Sequence, residues 1–118
     1  MGLGVQGQKR LAIAGNDAIA IVDPFHSDAQ YKFIEDVPLK DFDAALLCIP
    51  DEPKLSIIKY LLSSKKHVLV EKPLFASNPQ ELNQLKLLAQ QNNVVCYTAY
   101  NHRFEPHFIK MKELIDTN

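Results

Sequence analysis

Met1-Gly2-Leu3-Gly4-Val5-Gln6-Gly7 places a G-x-G-x-x-G series at the very start of a 118-residue chain. In α/β folds such a series opens a helix whose first N–H groups face a dinucleotide pyrophosphate. Gly2 suits the tight turn, Gly4 the close approach of phosphate, and Gly7 close packing of helix on sheet. Only Met1 stands where a strand would deliver the chain into that turn, so the sequence reads as an N-terminally clipped fragment. Taken alone, the three glycines serve equally well as a plain N-terminal turn.

Apolar runs alternate with amphipathic ones along the rest of the chain. Ala18–Val22, Ala44–Ile49, His67–Val70 and Val94–Tyr100 are short and mostly continuous, as expected of parallel strands covered on both faces. Gln30–Ile34 reads as a weaker edge strand. A helix is expected from about Val5 to Ala14, ended by Gly15. A second carries Leu55, Ile58, Leu61 and Leu62 after Pro53, and a third carries Leu82, Leu85, Leu88 and Ala89. That third helix has a written start, with Asn78 as N-cap, Pro79 in the first turn and Glu81 closing a capping box. Asn92-Asn93 suits its stop. A last helix with Phe108, Met111, Leu114 and Ile115 enters through Glu105-Pro106.

This alternation predicts a Rossmann-type doubly wound, mostly parallel α/β sheet with helices on both faces and its first strand missing. The chain is expected to be one domain over 1–118. The stretch 24–43 is short and polar for a helical crossover, and an irregular connection is expected there. Cys48 and Cys96 fall on strands that the usual strand order separates by a third, which argues against a disulfide.

Composition narrows the function. With 47% hydrophobic and 23% charged residues the chain can build a core, and a net charge of −1 with scattered Lys and Arg argues against nucleic acid. No apolar run approaches membrane-spanning length and no signal peptide is visible, so a cytoplasmic protein is expected. The histidines and cysteines lack metal-ligand spacing.

Two acidic positions and one basic position carry chemistry. Asp23 ends an apolar run roughly 20 residues after the glycines, where a carboxylate accepts adenosine ribose hydroxyls. It repels a 2′-phosphate, and no Arg follows it, so NAD is favoured over NADP. The same Asp23-Pro24 pair also serves as a plain strand-ending turn. Glu71-Lys72-Pro73 follows His67–Val70 directly, at the strand end where ligands bind in such sheets. Lys72 there can donate to cofactor or substrate hydroxyls, Glu71 can pair with it, and Pro73 stiffens the backbone. A solvated charge pair in a turn is the plainer alternative.

Gly2 to Gly7, Asp23, Cys48-Ile49-Pro50, Val70-Glu71-Lys72-Pro73-Leu74 and Tyr100-Asn101-His102-Arg103-Phe104 occur in one order. Together they resemble the cofactor-binding domain of the Gfo/Idh/MocA family of glucose-fructose oxidoreductases and inositol dehydrogenases, over essentially the whole chain. The resemblance implies an NAD(P)-dependent oxidoreductase that moves a hydride between nicotinamide and a hydroxyl-bearing carbon of a sugar, cyclitol or polyol. It implies that Lys72 lies beside the nicotinamide and the reacting hydroxyl as the catalytic residue. Gly2, Gly4, Val5, Gln6, Gly7, Asp23, Ile49, Pro50 and Glu71 would contact or hold the cofactor. Asn101, Arg103 and, more weakly, His102 would lie toward the substrate. A loop leading into the last helix, with Phe104 in the core, accounts for those last residues equally.

Departures matter as well. Where the family often has Asn and, three residues later, His, this chain has Asp51 and Lys54. The family's second domain, which supplies substrate walls, oligomer contacts and the proton-relay histidine, has no counterpart before Asn118. His107 does not match that histidine. The whole protein is expected to be a homo-oligomer, and this chain alone to turn over negligibly. A non-catalytic nucleotide-binding or interaction module of the same fold is the alternative reading.

Overall fold

The computed structural model describes residues 1–117. Its sheet holds three parallel strands in the order β1 (Ala44–Leu47), β2 (His67–Val70) and β3 (Cys96–Thr98). Leu47 lies beside Val70 and Val70 beside Thr98, so the three carboxyl ends finish level with one another. Helix α1 (Val5–Ala14) precedes the sheet; α2 (Asp51–Ser63) and α3 (Pro79–Asn92) are its crossovers; α4 (Pro106–Asp116) follows it. The Cys48 and Cys96 segments are kept apart by β2, and both thiols are free and half-buried. Burial pushes both thiols above the usual cysteine range.

One face of the sheet carries the core. Ala45, Leu47, Val68 and Val70 alternate onto it from β1 and β2. Ile57, Ile58, Leu61 and Leu62 of α2, with Leu85 and Ala89 of α3, complete the cluster. Each fully buried Leu or Ile contributes about 1.5–3 kcal/mol relative to leaving it exposed. The helices stop where local chemistry says they should. Asn78 accepts from the Gln80 N–H with Glu81 returning the capping box, and Asn93 closes α3 in the left-handed region at φ 54°. Gly15 closes α1 at φ 53°.

The connection over 24–43 is irregular, with two short 3-10 turns, Ile34–Asp36 and Leu39–Asp41, that drop Ile34 and Val37 into the core. Three expectations need correction. Ala18–Val22 is extended but forms no strand; its sole pairing among the described residues outside Met1–Leu3 is a parallel bridge between Val22 and Tyr31. A strand needs a ladder of partners, and this segment finds too few. Gln30–Ile34 shares that bridge and then enters a 3-10 turn. Phe104 is 65% exposed rather than in the core, because α4 has no buried residue and touches mainly the turn before it.

Met1–Leu3 occupies the place of a strand's last residues, between β1 and the Ala18–Val22 segment. The Met1 ammonium donates to the Leu46 carbonyl at 2.7 Å, and the Cys48 N–H donates to the Met1 carbonyl at 2.9 Å. On the other side the Gly2 N–H donates to the Val22 carbonyl at 2.8 Å. These bonds hold the glycine turn in register with the carboxyl ends of the sheet.

Candidate cofactor site

The glycine turn has the shape its sequence asks for. Gly2 sits at φ +86°, and a Cβ there would overlap the Cys48 carbonyl. At Gly7 a Cβ would overlap the Gly2 carbonyl, so the turn and the first turn of α1 interlock without side chains. Gly4 is different, with nothing within 4 Å of where a Cβ would stand. It caps α1 with its backbone alone, and the N–H groups of Val5, Gln6 and Gly7 have no intrahelical partner. No acid lies in that first turn to neutralise the positive end of the helix. An open glycine before three free N–H groups fits a dinucleotide pyrophosphate.

Asp23 lies beside this turn and is tied to it. Its Oδ2 accepts from the Leu3 N–H at 2.8 Å, and its Oδ1 accepts from the N–H groups of Phe25 at 2.8 Å and His26 at 3.0 Å. The Leu3 bond above all holds the Asp23 carboxyl below the usual carboxylate range, with the Phe25 and His26 bonds acting the same way. A carboxylate offers about four acceptor positions. Three are filled here, which leaves Oδ2 able to take one hydroxyl.

Across the cleft, β1 runs through Cys48 and Ile49 to Pro50, which starts α2. Asp51 does not cap that helix with its side chain. It accepts from the Lys54 ammonium at 2.9 Å, and the same ammonium donates to the Pro73 carbonyl at 2.8 Å. Lys54 is 3% exposed. The two positions that depart from the family pattern therefore form one clamp, which ties α2 to the turn after β2. The i,i+3 spacing of Asp51 and Lys54 was the available sequence signal.

Glu71 does not pair with Lys72. Its Oε1 accepts from Arg10 on α1, at 2.6 Å from Nε and 2.5 Å from the nearer terminal nitrogen. Arg10 escaped the sequence reading altogether. Lys72 and Pro73, joined by a cis peptide bond, are exposed, and the Lys72 ammonium makes no ion pair or hydrogen bond among the described residues. Ile49 is half-buried at the end of β1, and Pro50 is exposed. Asn101, His102 and Arg103 form a short exposed 3-10 turn past β3. Arg103 donates to the Tyr97 hydroxyl at 3.1 Å, and His102 meets Glu105 at 2.5 Å. The structure thus groups the glycine turn, Asp23, Ile49, Pro50 and Glu71 around the carboxyl ends of the sheet. Lys72 stands one residue beyond the Arg10–Glu71 link, and Asn101 and Arg103 lie farther along that rim.

Comparison with known proteins agrees. The model of an oxidoreductase family with an NAD-binding Rossmann fold, Gfo/Idh/MocA, matches residues 6–100. The uncharacterized oxidoreductase YrbE of Bacillus subtilis is 32% identical over 76 residues, which is 64% of this chain and 22% of that protein. Myo-inositol 2-dehydrogenase of Thermotoga maritima is 29% identical over 86 residues, 73% of this chain and 25% of that protein. The chain thus spans about a quarter of the length of these relatives. Among solved structures, the WlbA dehydrogenase of Thermus thermophilus, crystallised with NAD and alpha-ketoglutarate, superposes with a TM-score of 0.75 at 21% identity over 98% of this chain and 44% of that one. No helix among the described residues is long and apolar enough to cross a membrane. With a family match over most of its length, a glycine turn and a parallel three-stranded sheet, the chain belongs to the Gfo/Idh/MocA oxidoreductases and carries their NAD-binding Rossmann domain.

Proposed function

We propose that this chain holds NAD for an enzyme that oxidises a hydroxyl-bearing carbon of a cyclitol, sugar or related polyol. One observation carries the reading: Arg10 of α1 and Glu71 of the β2 end form an ion pair at 2.5 Å, so the helix that follows the glycine turn is joined to the residue before Lys72, which supports one cleft shared by the two. The inositol dehydrogenases of Thermotoga maritima and Rhizobium meliloti among its relatives support the substrate class.

The cofactor, when bound, supplies the hydride acceptor. The chain's own residues do the rest. Val5, Gln6 and Gly7 give N–H groups to the pyrophosphate, and Gly4 leaves the room. Asp23 takes a ribose hydroxyl on Oδ2, and its negative charge turns away a 2′-phosphate, which favours NAD over NADP. Ile49 and Pro50 form the apolar edge. Glu71 holds the strand end through Arg10 instead of touching Lys72. Lys72 donates to the reacting hydroxyl and favours loss of its proton. Asn101 and Arg103 border the substrate.

The base that receives the proton and most substrate walls belong to a further domain in this reading, so the chain by itself turns over negligibly. The whole protein is then a cytoplasmic homo-oligomer, which gel filtration of the whole protein checks. The functional test is turnover of myo-inositol and related polyols with NAD by the whole protein. Lys72→Ala is expected to cut kcat by 10²-fold or more with little change in NAD affinity. Unchanged kcat in that variant would remove Lys72 from the chemistry.

A further inference from the structure

Lys54 is the one charged residue buried among the described residues, at 3% exposed. Both its burial and its place in the fold work against it. A lysine stem is long enough to carry its ammonium out to water, yet this one stays inside. It also stands in the first turn of α2, where the positive end of the helix disfavours a cation. A buried ammonium is tolerated when acceptors replace its lost water. Asp51 Oδ1, at 2.9 Å, is one such acceptor, on a side chain that is itself 52% exposed. The Pro73 carbonyl, at 2.8 Å, is the other.

That carbonyl belongs to the connection that carries Lys72. On the upstream side the backbone is well held. The Val70 carbonyl accepts from the Ala99 N–H at 2.9 Å, and the Glu71 N–H donates to the Leu47 carbonyl at 2.8 Å. On the downstream side, residues 72–77 make a single hydrogen bond among the described residues, and it is the bond from Lys54. Leu74 packs against the core, which holds the segment down but does not orient its peptide groups. The Lys72 side chain is exposed and has no polar partner among the described residues, so no contact of its own places it. Resting on the catalytic role proposed for Lys72, we infer that Lys54 is its positioning residue. The Lys54 ammonium fixes the Pro73 carbonyl, the Lys72 backbone is then held on both sides, and the Lys72 ammonium is delivered to one place in the cleft. Charge makes this hold firm, since a hydrogen bond from an ammonium is about twice as strong as a neutral one. Precision matters here, because displacing a reacting group by about 1 Å costs on the order of 10²-fold in rate.

The test compares Lys54→Met with Lys66→Met in the whole protein. The Lys66 ammonium donates to the Phe42 carbonyl at 2.5 Å, a bond of the same kind at the opposite end of β2. The two variants therefore lose similar bonds in different places. Lys54→Met is expected to lower kcat for polyol oxidation by about tenfold or more, with the Kd for NAD changed by less than about threefold. Lys66→Met should keep kcat. Lys54→Met combined with Lys72→Ala should be no slower than Lys72→Ala alone, because Lys54 acts through Lys72. In the intact chain, the Leu74 N–H shares a peptide group with the Pro73 carbonyl. Its amide resonance and that of Lys72 should shift in Lys54→Met and stay in place in Lys66→Met. Should Lys54→Met fail to fold, Lys54→Gln is read the same way, since its amide stops one bond short of the ammonium's place. Equal kcat in Lys54→Met and Lys66→Met, while Lys72→Ala is slow, would overturn the inference and leave the role of Lys72 standing. So would losses that multiply in the double variant, or a loss confined to NAD affinity. Full kcat in Lys72→Ala would remove the proposed role of Lys72 and this inference with it.

Discussion

Arg10 and Glu71 stand 61 positions apart in the chain and meet at 2.5 Å, so the first helix is anchored to the end of the middle strand by a single ion pair. Their side chains are 23% and 12% exposed, which keeps much of the water away from the pair. Few other contacts hold α1, whose buried residue is Gly7. The pair therefore ties the body of α1 to the strand end beside Lys72, while the backbone bonds of Met1–Leu3 hold its first turn.

Removing Arg10 strands the Glu71 carboxylate in a half-dry place. Arg10→Ala is expected to lower stability by about 1.5–3 kcal/mol, the range for a hydrogen bond to a charged group. It should also weaken NAD binding, because α1 loses its tether. Arg10→Lys should recover part of the stability, since a lysine keeps the charge but not the double approach. Urea denaturation and NAD titration of both variants check this.

Lys54 acts as a second tether. Its ammonium, 3% exposed, joins Asp51 to the Pro73 carbonyl. Lys54→Met keeps the stem packed and deletes both bonds, leaving the carbonyl unmet at a cost of about 1–3 kcal/mol. Asp51→Asn should cost less, because Asp51 is 52% exposed and water replaces the lost charge. Denaturation curves of the two variants should rank them in that order.

How far such features can be read in advance depends on how local they are. The bounds of α1, the Asn78 cap and the Asn93 stop are written in neighbouring residues, and they appear where the sequence puts them. The glycine turn is equally local, and its three positions separate into two that interlock and one that stays open. Ala18–Val22 has a strand's composition, yet a strand is completed by partners that composition does not display. Arg10–Glu71 is invisible to any local pattern. Adjacency suggests Lys72 as the partner of Glu71, but neighbouring residues at a strand end point to opposite sides. The stripe on α4 announced a helix but not what it packs on, and Phe104 lies exposed with it.

In the proposed reading Asp23 sets the choice of cofactor. Asp23→Asn keeps one oxygen to accept from the Phe25 and His26 N–H groups, gives up the Leu3 bond, and removes the charge that would repel a 2′-phosphate. NADP affinity is expected to rise relative to NAD by about tenfold, or 1.4 kcal/mol. Paired titrations with NADH and NADPH measure that ratio.

Stability should depend on pH through the amino terminus. The Met1 ammonium has its pKa lowered in the folded chain by burial, from an ordinary value of 8.0. The unfolded chain then binds more protons between the two values, so stability rises with pH across that window. It levels off above pH 8 and is weakest below the folded pKa. Acetylating Met1 should flatten that slope, as denaturation at pH 6 through 9 would record.

The central claim is that one dinucleotide touches both the glycine turn and the strand end at Lys72. NADH titration of ¹⁵N-labelled chain, followed by amide resonances, tests it most directly. The amides of Gly4, Val5, Gln6 and Gly7 should move with those of Glu71 and Lys72, along a single binding curve. Movement of the first group while the second stays still would contradict the shared cleft.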